Sequence, residues 1–276
     1  MYSFLAIMQL TFLEMRRRRI AQAALVCGVV CLAVFATAIY LLHNYAAHPP
    51  SLLQNRIFLQ LQTFAGLYAV NLMTVTVAVM LPVDAISGEI ASGVMQTLAA
   101  KPIRRAEIIL GKWLVYWLMI AAYTMTMIVG VVVVMRVITG FSQTHVPEAV
   151  GLMTLQGTVL LSVVLAGGTR LTTIANGMIA FGFYSVAVVG GWIEQVGAMM
   201  GDASARYVGT AISLVSPTDA LWRRALYVLQ PPMMSQVEMT PLSRTSVPSV
   251  AMIWWAAAFA VGAVSLAAYW FKKRSL

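Results

Sequence analysis

The sequence predicts an all-α membrane protein with six transmembrane helices, and three observations carry that expectation. The 276 residues are 61% hydrophobic and only 10% charged, whereas soluble domains carry about 25% charged and about 45–50% apolar residues. One soluble core of this length cannot hide so many apolar side chains, and a bilayer accepts the excess at lipid-facing positions. The charges fall in short clusters between long uncharged stretches. Six of those stretches have the length that a bilayer requires.

The elements follow in order. Residues Tyr2 to Met15 mix Phe4, Leu5, Met8 and Phe12 with Gln9, Thr11 and Glu14, and Arg16, Arg17, Arg18 and Arg19 come next. This pattern predicts a helix over residues 1–19 lying along the inner interface, its arginines among lipid headgroups. The first span covers Ile20 to Leu42, which as a helix reaches about 35 Å. That is longer than the apolar region of a signal peptide, about 7–15 residues, so the segment is expected to stay and span. The second span covers Leu61 to Leu81, the third Trp113 to Met135 and the fourth Val150 to Gly168. The fifth covers Ile174 to Ile193 and the sixth Val250 to Phe271.

Six spans return the chain to its starting side, and the basic residues choose that side. Twelve of the 18 fall on it: Arg16 to Arg19, Lys101, Arg104, Arg105, Lys112, Arg170, Lys272, Lys273 and Arg274. Arg56, Arg136, Arg206, Arg223, Arg224 and Arg244 fall on the other. Cytoplasmic segments are enriched in Lys and Arg, so both termini are expected inside. The long outer segment, residues 194–249, is amphipathic from Arg206 to Leu229 and broken at Ser216-Pro217. Short helices capping the outer mouth are expected there. No repeat or linker divides the chain, which is read as one domain, residues 1–276.

Several function classes are excluded or disfavoured. The net charge of +9 follows from basic loops beside spans and does not indicate nucleic acid. No GxxxxGK[ST], HExxH or serine-histidine-carboxylate grouping is present, so the chain is expected to catalyse nothing by itself. Cys27 and Cys31 lie one helical turn apart with no second pair for a metal site, and are read as small buried hydrophobes. Met199, Met200, Met233, Met234, Met239 and the three histidines fall outside, but no tight MxxM or HxxM cluster appears, and adaptable packing is the favoured reading. No metal site is expected. Ion-coupled carriers place ionisable residues near the membrane midplane. Here each lies at or beyond a span end, leaving Asn71, Thr74, Thr76, Gln156 and Asn176 as the notable polar groups within. Interhelical hydrogen bonds are their expected use, and helix packing is that of Gly167-Gly168 and Gly190-Gly191.

The inner loop, residues 83–112, holds the densest pattern. Ile86, Ile90, Val94 and Leu98 recur every four residues and form one apolar stripe, with Glu89, Ser92 and Gln96 elsewhere on the wheel. A short amphipathic helix parallel to the membrane is expected, ended by Lys101-Pro102. Within the loop Ser87-Gly88-Glu89, Gly93, Leu98, Lys101-Pro102-Ile103, Arg104-Arg105 and Gly111-Lys112 resemble the recurring pattern of the ABC-2 superfamily of ABC transporter permeases. The six spans and basic N-terminal helix agree with that family over nearly the whole chain. Ser216-Pro217-Thr218-Asp219-Ala220-Leu221-Trp222-Arg223 is similar to a segment of the subgroup that includes the permease of the nitrous oxide reductase copper-site maturation system.

The resemblance implies a permease subunit of an ATP-driven exporter in a bacterial inner membrane. It implies a homodimer, or a pair with a related permease, bound to two separate ATPase subunits that hold the ATP and Mg; this chain itself binds no cofactor. The helix around Gly88 to Leu98 becomes the coupling helix, and Gly88, Glu89, Gly93, Leu98, Lys101, Pro102, Arg104 and Arg105 become the ATPase-coupling set. Glu89 with Arg104 or Arg105 would form the salt bridges that carry nucleotide-driven motion into the second and third spans. A translocation route would run between the second and fifth spans at the dimer interface, lined by Asn71, Thr74 and Tyr184, with Pro217, Asp219 and Arg223 in an outer gate. The competing reading is a non-transporting anchor or scaffold of a larger enzyme or maturation complex.

Overall fold

A computed structural model describes residues 2–17, 19–45, 51–93, 105–230 and 247–273. The helices in these residues are α1 Tyr2–Arg17, α2 Arg19–Tyr45, α3 Leu52–Met80, α4 Ser87–Ala91, α5 Arg105–Thr139, α6 Val146–Gly168, α7 Thr173–Met200, α8 Ala203–Val215, α9 Thr218–Val228 and α10 Ala251–Lys273. Six of them, α2, α3, α5, α6, α7 and α10, are long and apolar enough to cross a membrane. The six apolar runs seen in the sequence fall on these helices to within a residue at each end. Several helices outgrow their runs: α5 has 35 residues, about 52 Å, and so extends past a hydrocarbon layer of about 30 Å.

The centre of the bundle is α6, in whose most apolar stretch of 18 consecutive residues 72% are buried. It is strapped to α5 by Trp113 Nε1 donating to Ser162 Oγ at 3.1 Å and Trp117 Nε1 donating to Thr158 Oγ1 at 3.0 Å. Apolar packing discriminates weakly between helix and lipid, so such bonds and close small-residue contacts fix the neighbours. α2 lies at the periphery and is held by Gly28 against Tyr123 and Met127 of α5. Cys27 is exposed and Cys31 half-buried, which corrects their expected burial: Cys27 reaches Met73 of α3 across a gap, its Sγ 3.6 Å from the Met73 sulfur, and this peripheral helix is too loosely covered to bury either thiol.

The ends of the bundle are ordered by contact. Arg105 Nη1 at the start of α5 approaches the carbonyls of Phe271 and Lys272 at the end of α10, at 3.5 and 3.4 Å. Ile7, Thr11 and Met15 of α1 are buried one turn apart and join the core beside α5, while Leu10, Phe12 and Leu13 stay exposed. The first and last described helices therefore share one end, here termed the basic end.

Two expectations change. The apolar stripe of the inner loop does not form one continuous helix, because α4 stops at Ala91 and Gly93 turns the chain at φ +74, a conformation that favours glycine. Leu98, Lys101, Pro102 and Arg104 lie outside the described residues. The outer segment does not simply cap the bundle either. α7 continues to Met200, Gly201 reverses the chain at φ +71, and Asp202 caps α8 by accepting from Ser204 N at 2.9 Å. α8 then runs back along α7: Gly197 lies against Ala205, Glu194 against Gly209, Gly190 against Ile212, and Ser216 Oγ donates to Phe183 O at 3.0 Å. The turn at Ser216-Pro217 thus reaches about 25 Å down from the top of α7. α9 climbs again, packed on α6 and α7 with Asp219, Leu221, Trp222, Arg223 and Leu226 buried. α8 and α9 form a re-entrant hairpin: α9, which carries the charges, is buried among α6, α7 and α3, while α8 packs on α7 with Gly209 and Ser213 buried and leaves Tyr207, Val208, Leu214 and Val215 exposed.

Candidate functional site

Two constellations gather the residues singled out in the sequence, one at the basic end and one in the far half. At the basic end the segment 81–91 is a wedge driven among three long helices. Lys112 Nζ of α5 forms an ion pair with Glu89 Oε1 of α4, with the two side chains only 4% and 10% exposed. Ser87 Oγ donates to Val83 O at 3.1 Å and lies 2.8 Å from Thr173 Oγ1 in the first turn of α7. Asn176 Nδ2, one turn further along α7, donates to Val83 O at 3.3 Å and to Val164 O of α6 at 2.9 Å. Gly168 leaves room for Ile86, and a methyl at Gly167 would overlap the Asn176 amide. α4 is therefore fastened to α5, α6 and α7 together.

This placement recasts the expected roles. Glu89 is turned into the protein toward Lys112, Gly88 packs its backbone by Asp84, and Arg105 reaches α10. A buried charge persists only when paired and hydrogen-bonded, which accounts for Lys112 one residue before the apolar run of the third span. Ser87, Thr173 and Asn176 are functional candidates that sequence reasoning did not join, because their contacts cross 86 and 93 positions of chain.

In the far half, a cleft of about 630 Å³ opens between α3 and α7 with α9 as its floor. Asn71, Tyr184, Asp219 and Arg223 line it together with Tyr68, Trp192 and Trp222. Two expected groups, the polar residues at depth and the outer gate, thus meet in one place. Gln156 Nε2 donates to Asn71 Oδ1 at 2.9 Å and Asn71 Nδ2 to Tyr184 OH at 3.0 Å, a polar chain from α6 through α3 to α7 that ends in the cleft. Thr74 is buried one turn from Asn71 and does not line it, and Pro217 is buried at the hairpin turn. Thr76 bonds only its own helix, Oγ1 to Leu72 O at 2.8 Å, so the interhelical expectation fails there.

The floor is held by charge. Arg223 is 3% exposed. Its Nη2 donates to Glu194 Oε2 at 2.7 Å, and its Nε faces Asp219 Oδ2 at 2.9 Å. Glycine permits this approach: a methyl at Gly191 would overlap the Asp219 carboxylate and stand 3.3 Å from Arg223 Nε. Tyr68 meets Trp222 edge to face at 5.0 Å between ring centroids. Glu194 went unnoticed as a site residue because it follows the apolar run directly and reads as the first outer position.

The chain finds no match among curated proteins. A family model described as ABC-2 family transporter protein matches residues 5–276. With six helices able to span a membrane and a match over nearly its full length, the chain belongs to the ABC-2 family and is a multi-pass transmembrane permease subunit of the kind that works with an ABC ATPase.

Proposed function

We propose that this chain is the membrane half of an ATP-driven exporter, present as a homodimer or paired with a related permease and bound to two ATPase subunits that carry the ATP and Mg. The membrane is a bacterial inner membrane and both termini are cytoplasmic, in keeping with the basic residues gathered at one end. The observation that carries the reading is the fastening of α4. Ser87 is bonded to Thr173 in the first turn of α7 and Val83 to Asn176 one turn further along, and the same helix reaches Glu194, which holds Arg223 beneath the cleft. The span from Thr173 to Glu194 is about 32 Å of unbroken helix. A push on the loop from an ATPase therefore tilts the wall of the cleft.

This route differs from the one implied by the family pattern, in which motion enters the second and third spans. Lys112 still ties α4 to α5, but α7 receives two of the hydrogen-bonded contacts. The cleft between α3 and α7 is the cargo route, with Asn71 and Tyr184 on its wall and the α8–α9 hairpin as its movable floor. Purification from the native membrane in mild detergent tests the proposal. An ATP-binding subunit at equal stoichiometry is expected, and its ATP hydrolysis should lose cargo dependence when Asn176 is replaced by Ala while assembly persists. Recovery of a different enzyme complex with no ATP-binding subunit would overturn it in favour of an anchor role.

A further inference from the structure

At the basic end, cations from three separate elements converge on the last turn of α10. Arg105 comes from the start of α5 and reaches the carbonyls of Phe271 and Lys272. Arg170 comes from the turn between α6 and α7 and lies over the Trp270 ring, its Cζ 5.1 Å from the centroid. Lys272 and Lys273 end α10 itself, and Lys273 Nζ stands 4.6 Å from the centroid of the Tyr269 ring. Arg170, Lys272 and Lys273 are exposed, and among the described residues no carboxylate forms a salt bridge with any of them. The same turn holds Tyr269 and Trp270, ring types that settle at the level of lipid headgroups.

A helix C-terminus repels anions through its free carbonyls. Here Arg105 covers two of those carbonyls from a neighbouring helix, so the repulsion is reduced where the other three cations gather. α10 is peripheral, with 22% of its most apolar stretch of 18 consecutive residues buried, so its flank is open to lipid. The geometry points to a binding site for the phosphodiester headgroup of an anionic phospholipid, held by Arg170, Lys272 and Lys273, with its acyl chains along the exposed flank of α10. Arg105 is a positioning residue that holds the α10 end to α5. Orientation by positive loops requires only that cations lie on this side. It does not require three elements to deliver them to one turn beside two ring anchors. A lipid seated there ties α10 to the α6–α7 turn, next to the wedge formed by α4.

Native mass spectrometry of the full chain, titrated with phosphatidylglycerol and with phosphatidylcholine of identical acyl chains, tests the site. The wild type should prefer phosphatidylglycerol by about tenfold, as expected for a few cations near one anionic headgroup. The exposed triple variant Arg170→Gln/Lys272→Gln/Lys273→Gln should lose that preference. A control that removes the same charge from exposed positions at the far end, Arg56→Gln/Arg136→Gln/Arg206→Gln, should keep it. Should the triple variant misfold, Arg170→Gln alone still reports as a several-fold loss. Equal loss in both triple variants would overturn the site, since net charge alone would then explain the preference. Binding of inorganic phosphate that displaces the lipid would assign the site to a free anion instead. Unchanged lipid selectivity in the basic-end triple variant, with an ATPase subunit lost on purification, would make the patch a protein-docking surface and end the lipid proposal.

Discussion

Replacing Gly191 by Ala tests the packing of the hairpin through the sign of its effect. Glycine inside a helix costs about 1 kcal/mol relative to Ala, so by propensity alone the substitution in α7 should stabilise the protein. The structure predicts the reverse. The new methyl would overlap the Asp219 carboxylate and press on Arg223 Nε, so Asp219 must leave its place 2.9 Å from that nitrogen. Removing one partner of a buried ion pair costs about 3–5 kcal/mol. Arg223 keeps Glu194 on Nη2, which reduces the loss to about 2–4 kcal/mol, similar to overpacking a tight site. Subtracting the helix gain leaves a net destabilisation of about 1–3 kcal/mol. For a chain of this size that is a fall of roughly 3–10 °C in unfolding midpoint. Thermal unfolding in detergent, followed by intrinsic fluorescence or by loss of the monodisperse peak, reads it directly. Asp219→Ala in the same chain removes the clash, so the double variant should be more stable than the sum of the single effects. A stabilised Gly191→Ala protein, or strict additivity in the cycle, would show that the hairpin does not pack on α7 in this way.

Lys112→Met takes the ammonium away from the buried Glu89 Oε1 and should cost about 3–5 kcal/mol, measured by the same melt; the exchange Glu89→Lys/Lys112→Glu should recover most of it, and a silent single variant would refute a structural pair. Ser87→Cys/Thr173→Cys, with Cys27 and Cys31 changed to Ala, should form an intramolecular disulfide under mild oxidant, because the two side chains already meet, with their hydroxyls 2.8 Å apart. Peptide mass spectrometry detects that bridge, and its absence would separate α4 from α7. Gly93→Ala meets no atom within 4 Å, so its cost of about 1–2 kcal/mol comes from backbone conformation alone, and Gly93→Asn should lose less by the same melting assay.

The spans were legible because a bilayer demands unbroken apolar length, and length survives any arrangement of neighbours. The hairpin was not legible in place. The stretch from Arg206 to Leu229 is amphipathic with charges, and that pattern reads the same on a membrane surface as inside a bundle. What decides between them is whether Arg223 finds carboxylates, and Glu194 lies 29 positions earlier across a chain reversal at Gly201. The inner loop was half legible. Ser87-Gly88-Glu89 marked the right residues, but periodicity carried the apolar stripe through Gly93, where the backbone turns. Nor did periodicity distinguish a carboxylate facing outward from one paired with Lys112. Asn71 and Gln156 emerged from the simple argument that a polar group at depth needs a partner, and they bond each other; Tyr184 was expected only along the route, and it is there as the second partner of Asn71.

The depth of the α8–α9 turn constrains how the protein is made. α9 carries Asp219, Arg223 and Arg224 within 11 residues, and each such charge costs about 2.5–3.5 kcal/mol to place at the centre of a lone helix in lipid. No insertion machinery that sorts segments one at a time would leave α9 in the bilayer. Its berth exists only after α6, α7 and α3 have come together and Glu194 stands ready for Arg223. The hairpin must therefore be swallowed after the spans around it have assembled. Biogenesis then has two stages, a lateral release of helices governed by hydropathy followed by a folding step governed by charge pairing. Substitutions at Glu194 would halt the protein between them, correctly threaded through the membrane and with its outer half still unclosed.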